Sequence, residues 1–314
     1  MRFIFIFIDG IGIGSPNGNN PFVSADPDIL RLWEGAVLKR NEVRIKAIDP
    51  LMGVSGIPQS ATGQTTIFTG KNIPRLLSKH TGSFPNRIMR KIIREENLLL
   101  KLNKSGKTGK FINAYPHHSE LFSNTNVEID ENGNLIFSDK FPEKYKRRIS
   151  VTSSILISNN VKPFDTIDIK EKRSLYQDYS NKSLLGYGLE LPVFSPEDAA
   201  EILYGISSDY DLILYEFFQS DIYGHRKGKS EQIELISELD NLLSSLISLM
   251  DDQQDTILIT SDHGNLEDNS HKSHSLNPVP LITWGRGSRE LSDKINDLSG
   301  ITPGILDFMT AESN

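Results

Sequence analysis

Arg2-Phe-Ile-Phe-Ile-Phe-Ile8 followed by Asp9-Gly10 is the stretch on which the fold turns. A continuous apolar run of this kind leaves no polar face, so it reads as a strand covered on both sides, the pattern of a parallel sheet. The run is too short for the apolar region of a secretory signal, and it runs straight into Asp9-Gly10. The acidic residue then stands at the carboxyl end of a buried strand, where open α/β sheets place their ligands.

Working outward, similar strand signals recur at Val43–Ile48, Lys110–Ala114, Leu212–Phe218, Thr256–Thr260 and Leu281–Trp284. Helical spacing separates several of them, most clearly Ile233, Ile236, Leu239, Leu243, Leu246, Ile247 and Met250. Alternating strands and helices predict an α/β fold with a doubly wound, mostly parallel sheet and helices on both faces. Residues 116–194 read differently: they are rich in Asn, Lys, Asp and Ser, and their apolar runs follow no single period. A segment that long is rarely a bare loop, so it is expected to be a small inserted cap between core segments 1–115 and 195–314.

The 314 residues hold 34 Lys+Arg against 41 Asp+Glu, a net charge of −7 with no compensating basic run, which argues against nucleic acid as partner. No apolar stretch approaches the roughly 20 residues of a membrane span. Cysteine is absent, so disulfides, thiolate-bound zinc, iron–sulfur clusters and cysteine nucleophiles are excluded. Any metal site must use carboxylate, imidazole and hydroxyl donors, which suit Mg, Mn or Zn. The expected location is the cytoplasm; nothing in the sequence fixes the oligomeric state.

Four elements carry chemistry. Thr260-Ser-Asp262-His263-Gly264-Asn265 follows an apolar strand, and adjacent Asp and His at a strand end can turn toward one ion. Read alone, it is equally a polar turn. Asp221-Ile-Tyr-Gly-His225 would share one helical face, or be a solvent-exposed pair. In His271-Lys-Ser-His274, one histidine could close a metal site; a loop with surface histidines is the plain alternative, more so for His271. Pro58-Gln-Ser60-Ala-Thr-Gly-Gln64 opens a helix, where Ser60 has free N–H groups beside it for an oxyanion or serves simply as the N-cap. Two phosphate motifs fail: Ser15 breaks a G-x-G-x-x-G after Gly10, and Lys101 stands where a Walker loop before Gly106-Lys107-Thr108 requires Gly.

Asp9, Asp221 and Asp262 all fall at or beyond strand carboxyl ends, and four of seven histidines lie in these contexts. In order and spacing, these motifs resemble the alkaline phosphatase superfamily, within it the cofactor-independent phosphoglycerate mutase and phosphopentomutase branch. The resemblance covers residues 1–115 and 195–314, through Asp9-Gly10, the Ser60 element, Asp221-x-x-Gly-His225, Asp262-His-Gly-Asn265 and His274-x-x-Asn277-Pro-Val-Pro. It implies two divalent metal ions (Mn, Zn or Mg), one held by Asp221, His225 and His274, the other by Asp9, Asp262, His263 and Ser60. It also implies Ser60 as the nucleophile in phosphoryl transfer on a small phosphorylated substrate. Gln64 stands where such mutases carry histidine, and the insert is short beside a phosphoglycerate mutase's substrate domain. These departures favour a phosphatase or phosphodiesterase over a phosphomutase; a non-catalytic metal-binding protein with a vestigial site is the further alternative. A sulfatase is disfavoured, since Ser60-Ala-Thr-Gly-Gln lacks the Pro and Arg of a formylglycine context. Arg75, Lys79, His80 and Arg87 are candidate substrate contacts, as are His117 and His118; each is equally a surface or loop position.

Overall fold

In strand β1 (Arg2–Ile8), Phe3, Phe5 and Phe7 enter one core while Ile4, Ile6 and Ile8 enter another. The two-residue period of a strand sorts the alternating side chains onto opposite faces, and here both faces are covered. Each of these side chains is at most 1% exposed, worth about 1.5–3 kcal/mol apiece on burial. The computed structural model describes residues 1–116, 119–122 and 126–311.

The remaining strands are β2 (Arg44–Ile48), β3 (Gly109–Phe111), β4 (Val127–Ile129), β5 (Leu135–Phe137), β6 (Leu212–Phe217), β7 (Asp255–Thr260) and β8 (Val279–Gly285). The helices that build the site and its supports are α1 (Ser60–Thr69), α2 (Arg87–Glu96), α3 (Val151–Ser158), α4 (Pro196–Ile206), α5 (Gln219–Arg226), α6 (Lys229–Leu249) and α7 (Ile301–Ala311). The main sheet runs β2-β8-β7-β1-β6-β3, with β1 parallel to β6 and β7, and β3 parallel to β6. The fold is thus α/β with a mostly parallel sheet. The departure from a wholly parallel one is β8, which runs antiparallel to both β7 and β2.

Helices α4 and α6 cover the isoleucine face of β1, with Ala199, Leu203, Leu239, Leu243 and Leu246 in that core. The buried stripe of α6 also takes in Leu235 and Leu242, whereas Ile233 and Met250 are only partly buried. On the other face, Phe68 of α1 meets Phe5 and Phe7 at ring distances of 6.0 and 5.7 Å, and Phe308 of α7 meets Phe3 at 6.0 Å.

Within residues 116–194, β4 and β5 form an antiparallel hairpin over a small cluster of Phe122, Val127, Ile129, Phe141, Ile149 and Ile157. Helix α3 of the same segment sends Val151, Ile155 and Leu156 into the phenylalanine-side core. The backbone of Ala114 and Tyr115 continues past β3 by donating to Leu175 and Phe164. This lays Tyr176 and Gln177 along the carboxyl edge of the sheet.

Candidate metal centre

The edge at which β1, β6 and β7 end gathers the acidic and imidazole side chains. Asp9 follows β1, and its N–H donates to Phe217 O at 3.0 Å. Gly10 turns the chain with φ +70°, and a Cβ there would meet Asp221 Cβ at 2.8 Å. Glycine therefore serves twice: it takes the left-handed turn and lets α5 approach. On α5, Asp221 and His225 share a face, with His225 Nε2 3.4 Å from Asp221 Oδ1.

The tautomers of His225 and His274 follow from their partners, because a carbonyl only accepts. His225 Nδ1 lies 2.7 Å from Lys272 O, and His274 Nδ1 lies 2.8 Å from Pro58 O. Both Nδ1 atoms must carry the proton, which leaves each Nε2 lone pair free, as in metal-ligating histidines. His274 Nε2 is 3.7 Å from Asp221 Oδ1. The antiparallel sense of β8 explains its presence: β8 begins where β7 ends, Thr260 opposite Leu281, so the loop before it stays at the carboxyl edge. His271 instead remains exposed beside Asp268 and Ser273.

His263 sits at the centre, fully buried. Its Nε2 lies 3.0 Å from Ser60 Oγ, 3.4 Å from Asp9 Oδ1 and 3.6 Å from Asp262 Oδ2. Its ring stacks on His274 with centroids 3.6 Å apart. Donor atoms of Asp9, Asp262 and His263 lie within 4.8 Å of one another, and so do those of Asp221, His263 and His274. The expected division placed His263 only with Asp9, Asp262 and Ser60; the geometry puts it in both groups, with His225 reaching the second through Asp221.

Ser60 is the first helical residue of α1, and the cap position belongs to Gln59, whose side chain makes no capping bond. The N-cap reading of Ser60 therefore does not hold, and its hydroxyl is turned to His263. One neighbouring N–H is already committed, since Ala61 N donates to Gly82 O at 3.0 Å.

The donor set suits divalent ions. Asp9 Oδ1 and Asp262 Oδ1 are buried without a hydrogen-bond partner, a costly state unless something else satisfies them. Among the described residues, the ion-pair partners of Asp9, Asp221 and Asp262 are histidines, with no lysine or arginine to balance three carboxylates. Burial first, then repulsion from Asp262 and Asp221, raises the Asp9 carboxyl well above its usual range. Burial likewise pushes Asp262 up to about 6. His263 is driven down to about 3 by burial and by its neighbour His274, so it is neutral and its lone pair is available.

Several supporting residues carry no signal in sequence. Gln64 Nε2 donates to Asp262 Oδ2 at 3.1 Å. Asn265 Nδ2 donates to Asp221 Oδ1 at 2.8 Å. The Glu267 carboxylate ties three loops together: Gly12 N and Asn265 N donate to Oε2 at 2.8 Å each, while Ser275 Oγ and Asn277 Nδ2 donate to Oε1. Glu216, near the end of β6, is wholly buried, and burial raises its carboxyl well above the usual range. A four-residue spacing can flag a ligand pair, but an acid inside an apolar strand or after a His-Gly turn resembles any other.

Arg75, Lys79 and Arg87 are exposed, and the His80 ring meets Val54 O at 3.1 Å. None of the four lines the cavity of about 440 Å³ that opens beside Asp9 and Asp221. His117 and His118 lie outside the described residues.

Residues 179–313 match the family model of the Metalloenzyme superfamily. The 2,3-bisphosphoglycerate-independent phosphoglycerate mutase of Mycoplasmopsis pulmonis is 29% identical over 154 residues, 47% of this chain and 30% of that enzyme. The Coxiella burnetii enzyme of the same name is 32% identical over 113 residues, 34% of this chain and 22% of its own. These matches cover less than half of the chain and liken that part to the Metalloenzyme superfamily and its phosphoglycerate mutases. The chain spans less than a third of the length of these curated mutases. Solved alkaline phosphatases share the fold over nearly the whole chain. Alkaline phosphatase from the Antarctic bacterium TAB5 aligns with TM-score 0.52 at 15% identity, over 100% of this chain and 98% of its own. The cold-active alkaline phosphatase of Shewanella sp. aligns with TM-score 0.54 at 10% identity, over 98% of this chain and 100% of its own.

Proposed function

We propose that this chain is a two-metal phosphoryl-transfer enzyme of the alkaline phosphatase superfamily that hydrolyses a small phosphate ester through Ser60. The observation that carries the reading is the 3.0 Å approach of Ser60 Oγ to His263 Nε2, beside the donor atoms of Asp9, Asp221, Asp262 and His274. Asp221, His225 and His274 would hold one divalent ion and Asp9, Asp262, His263 and Ser60 the other, with His263 near enough to both to adjust between them. Two bound ions, whether Mn, Zn or Mg, would supply Lewis acidity that lowers the serine hydroxyl pKa and neutralises the phosphoryl oxygens.

The chain's own residues then do the following. Ser60 Oγ forms a bond to phosphorus as the ester P–O bond breaks; the Ser60 proton is lost, and the departing alcohol oxygen gains one. Water next attacks the phosphoseryl group, releasing phosphate and restoring the hydroxyl, so the net reaction is ester plus water giving alcohol plus phosphate. Gln64 and Asn265 hold Asp262 and Asp221 in place throughout. Residues 116–194 act as the substrate-selecting cap, supported by the placement of Tyr176 and Gln177 at the cavity wall.

A phosphomutase is the second reading, favoured by the mutase relatives. Gln64 in place of the mutases' histidine weighs against it. The cysteine-free composition suits a cytoplasmic enzyme, and among the described residues no helix is long and apolar enough to cross a membrane.

The test is to strip the protein with chelator, restore Mn, Zn or Mg, and assay phosphate monoesters and diesters beside Ser60→Ala. Metal-dependent turnover lost in Ser60→Ala supports the reading. Metal uptake without turnover of any ester points to the mutase or to a binding protein, and no uptake rejects the metal centre.

A further inference from the structure

The cavity beside Asp9 and Asp221 is continuous with the proposed phosphoryl site, so whatever alcohol the phosphate is attached to must enter it. Its volume of about 440 Å³ is within the ordinary range for a small-molecule site. Tyr115, Tyr176 and Phe218 supply aromatic walls, while Gln177 and Glu216 supply polar groups. Among the described lining residues, every side chain other than tyrosine that can carry charge is acidic.

The unpartnered polar atoms in this wall are of one kind. Glu216 Oε1 and Oε2 and Gln177 Oε1 are buried without a hydrogen bond of normal geometry, although the Thr152 hydroxyl is beside Glu216. Asn113 cannot satisfy Glu216, because its amide is spent on the β6 backbone: Nδ2 donates to Glu216 O at 2.7 Å and Oδ1 accepts from Glu216 N at 2.8 Å. The wall therefore offers these acceptors and aromatic faces, with the Thr152 hydroxyl the donor beside Glu216. A positively charged donor group matches this wall of acidic side chains, and would draw the Glu216 carboxyl, raised by burial, into its ionised form. A primary ammonium brings three donors and attracts both a carboxylate and aromatic faces. A carboxylate or a second phosphate would find no counter-charge there and would face Glu216.

We propose that the cavity selects phosphoesters of an amino alcohol, with Glu216 and Gln177 binding the ammonium and Tyr115, Tyr176 and Phe218 enclosing it. This rests on the phosphoester reading of the adjoining site.

Three two-carbon probes differ only at the far end: O-phosphoethanolamine carries an ammonium, 2-hydroxyethyl phosphate a hydroxyl, and phosphoglycolate a carboxylate. Their binding is measured by calorimetry on metal-loaded Ser60→Ala, and their kcat/KM on the metal-loaded wild type, each repeated with Glu216→Gln. The expected order is ammonium, hydroxyl, carboxylate, separated by roughly ten-fold per step, and Glu216→Gln brings the first two within about two-fold of each other. Equal binding of all three probes, tightest binding of phosphoglycolate, or no binding of any overturns the amino-alcohol assignment. So does an order that survives Glu216→Gln. Turnover of p-nitrophenyl phosphate in the same preparation separates the two claims. If it is hydrolysed while the probe order fails, only the cavity assignment falls; if it too is inert, the phosphoester reading falls with it. The wild-type order requires no variant, so misfolding of Glu216→Gln leaves the test intact.

Discussion

His263 Nε2 stands 3.0 Å from Ser60 Oγ across 203 positions of sequence. The hydroxyl opens α1 and the imidazole follows β7, so neither local segment creates the pair. It forms because Gly63, one turn into α1, lies directly against Asp262: a Cβ there would meet Asp262 Cβ at 2.8 Å and the Asp262 carbonyl oxygen at 2.9 Å.

Gly63→Ala should therefore push α1 away from the β7 loop and separate Ser60 from His263. Hydrolysis of p-nitrophenyl phosphate is expected to drop by at least about a hundred-fold, in line with the cost of misplacing reacting groups by an ångström. Unchanged activity would show that the helix and loop adjust freely.

Ser60→Ala removes the proposed nucleophile while leaving six of the seven donor residues. Turnover should fall by about a thousand-fold or more, while calorimetry still detects two equivalents of Mn per chain. Loss of both ions together would instead make Ser60 chiefly a ligand.

The paired variants His274→Ala and His271→Ala separate a buried donor from an exposed one. His274 lies against Asp221 and stacks on His263, whereas His271 faces solvent. Bound metal, counted by elemental analysis after desalting, should drop by one equivalent in His274→Ala and stay unchanged in His271→Ala.

Metal uptake should release protons at pH 6. Asp262 is pushed up to about 6, so at that pH a fraction of it holds a proton that a cation must displace, and the Asp9 carboxyl is raised in the same direction. His263, lowered to about 3, has none to give. Raised carboxyls stabilise the metal-free fold most below the unfolded carboxylate pKa, and that contribution is lost as pH rises through the folded values. His263 acts oppositely: its contribution is present above the unfolded imidazole value and is lost as pH falls toward about 3. Calorimetry in two buffers of different ionisation enthalpy measures the release, which should shrink by pH 8; equal release at both pH values would contradict this account.

Glu267→Ala should destabilise the protein by about 3 kcal/mol or more, because it strands two buried N–H donors and two side-chain donors. Urea denaturation of the metal-free form checks this without recourse to activity. A loss under about 1 kcal/mol would mean the three loops are held elsewhere.

The alternation of Phe and Ile in β1 was enough to foresee a sheet covered on both faces, because strand period and burial are local properties. The acids and imidazoles at strand ends were legible for the same reason: Asp9, Asp221, Asp262 and His263 each follow an apolar run. Strand direction is not local. An apolar run reads alike in either sense, so only the pairing of β8 against β7 showed why His274 returns to the carboxyl edge while three residues earlier His271 stays in solvent. Glu216 was hidden because an acid within a buried strand declares nothing about the space beside it. Its place in the cavity wall depends on the insert that lays Tyr176 and Gln177 across the sheet edge. Residue types and their order thus determined the chemistry available to this chain. Which groups share an ion, and what the neighbouring cavity accepts, were decided by strand direction and by close backbone approaches between segments far apart in sequence.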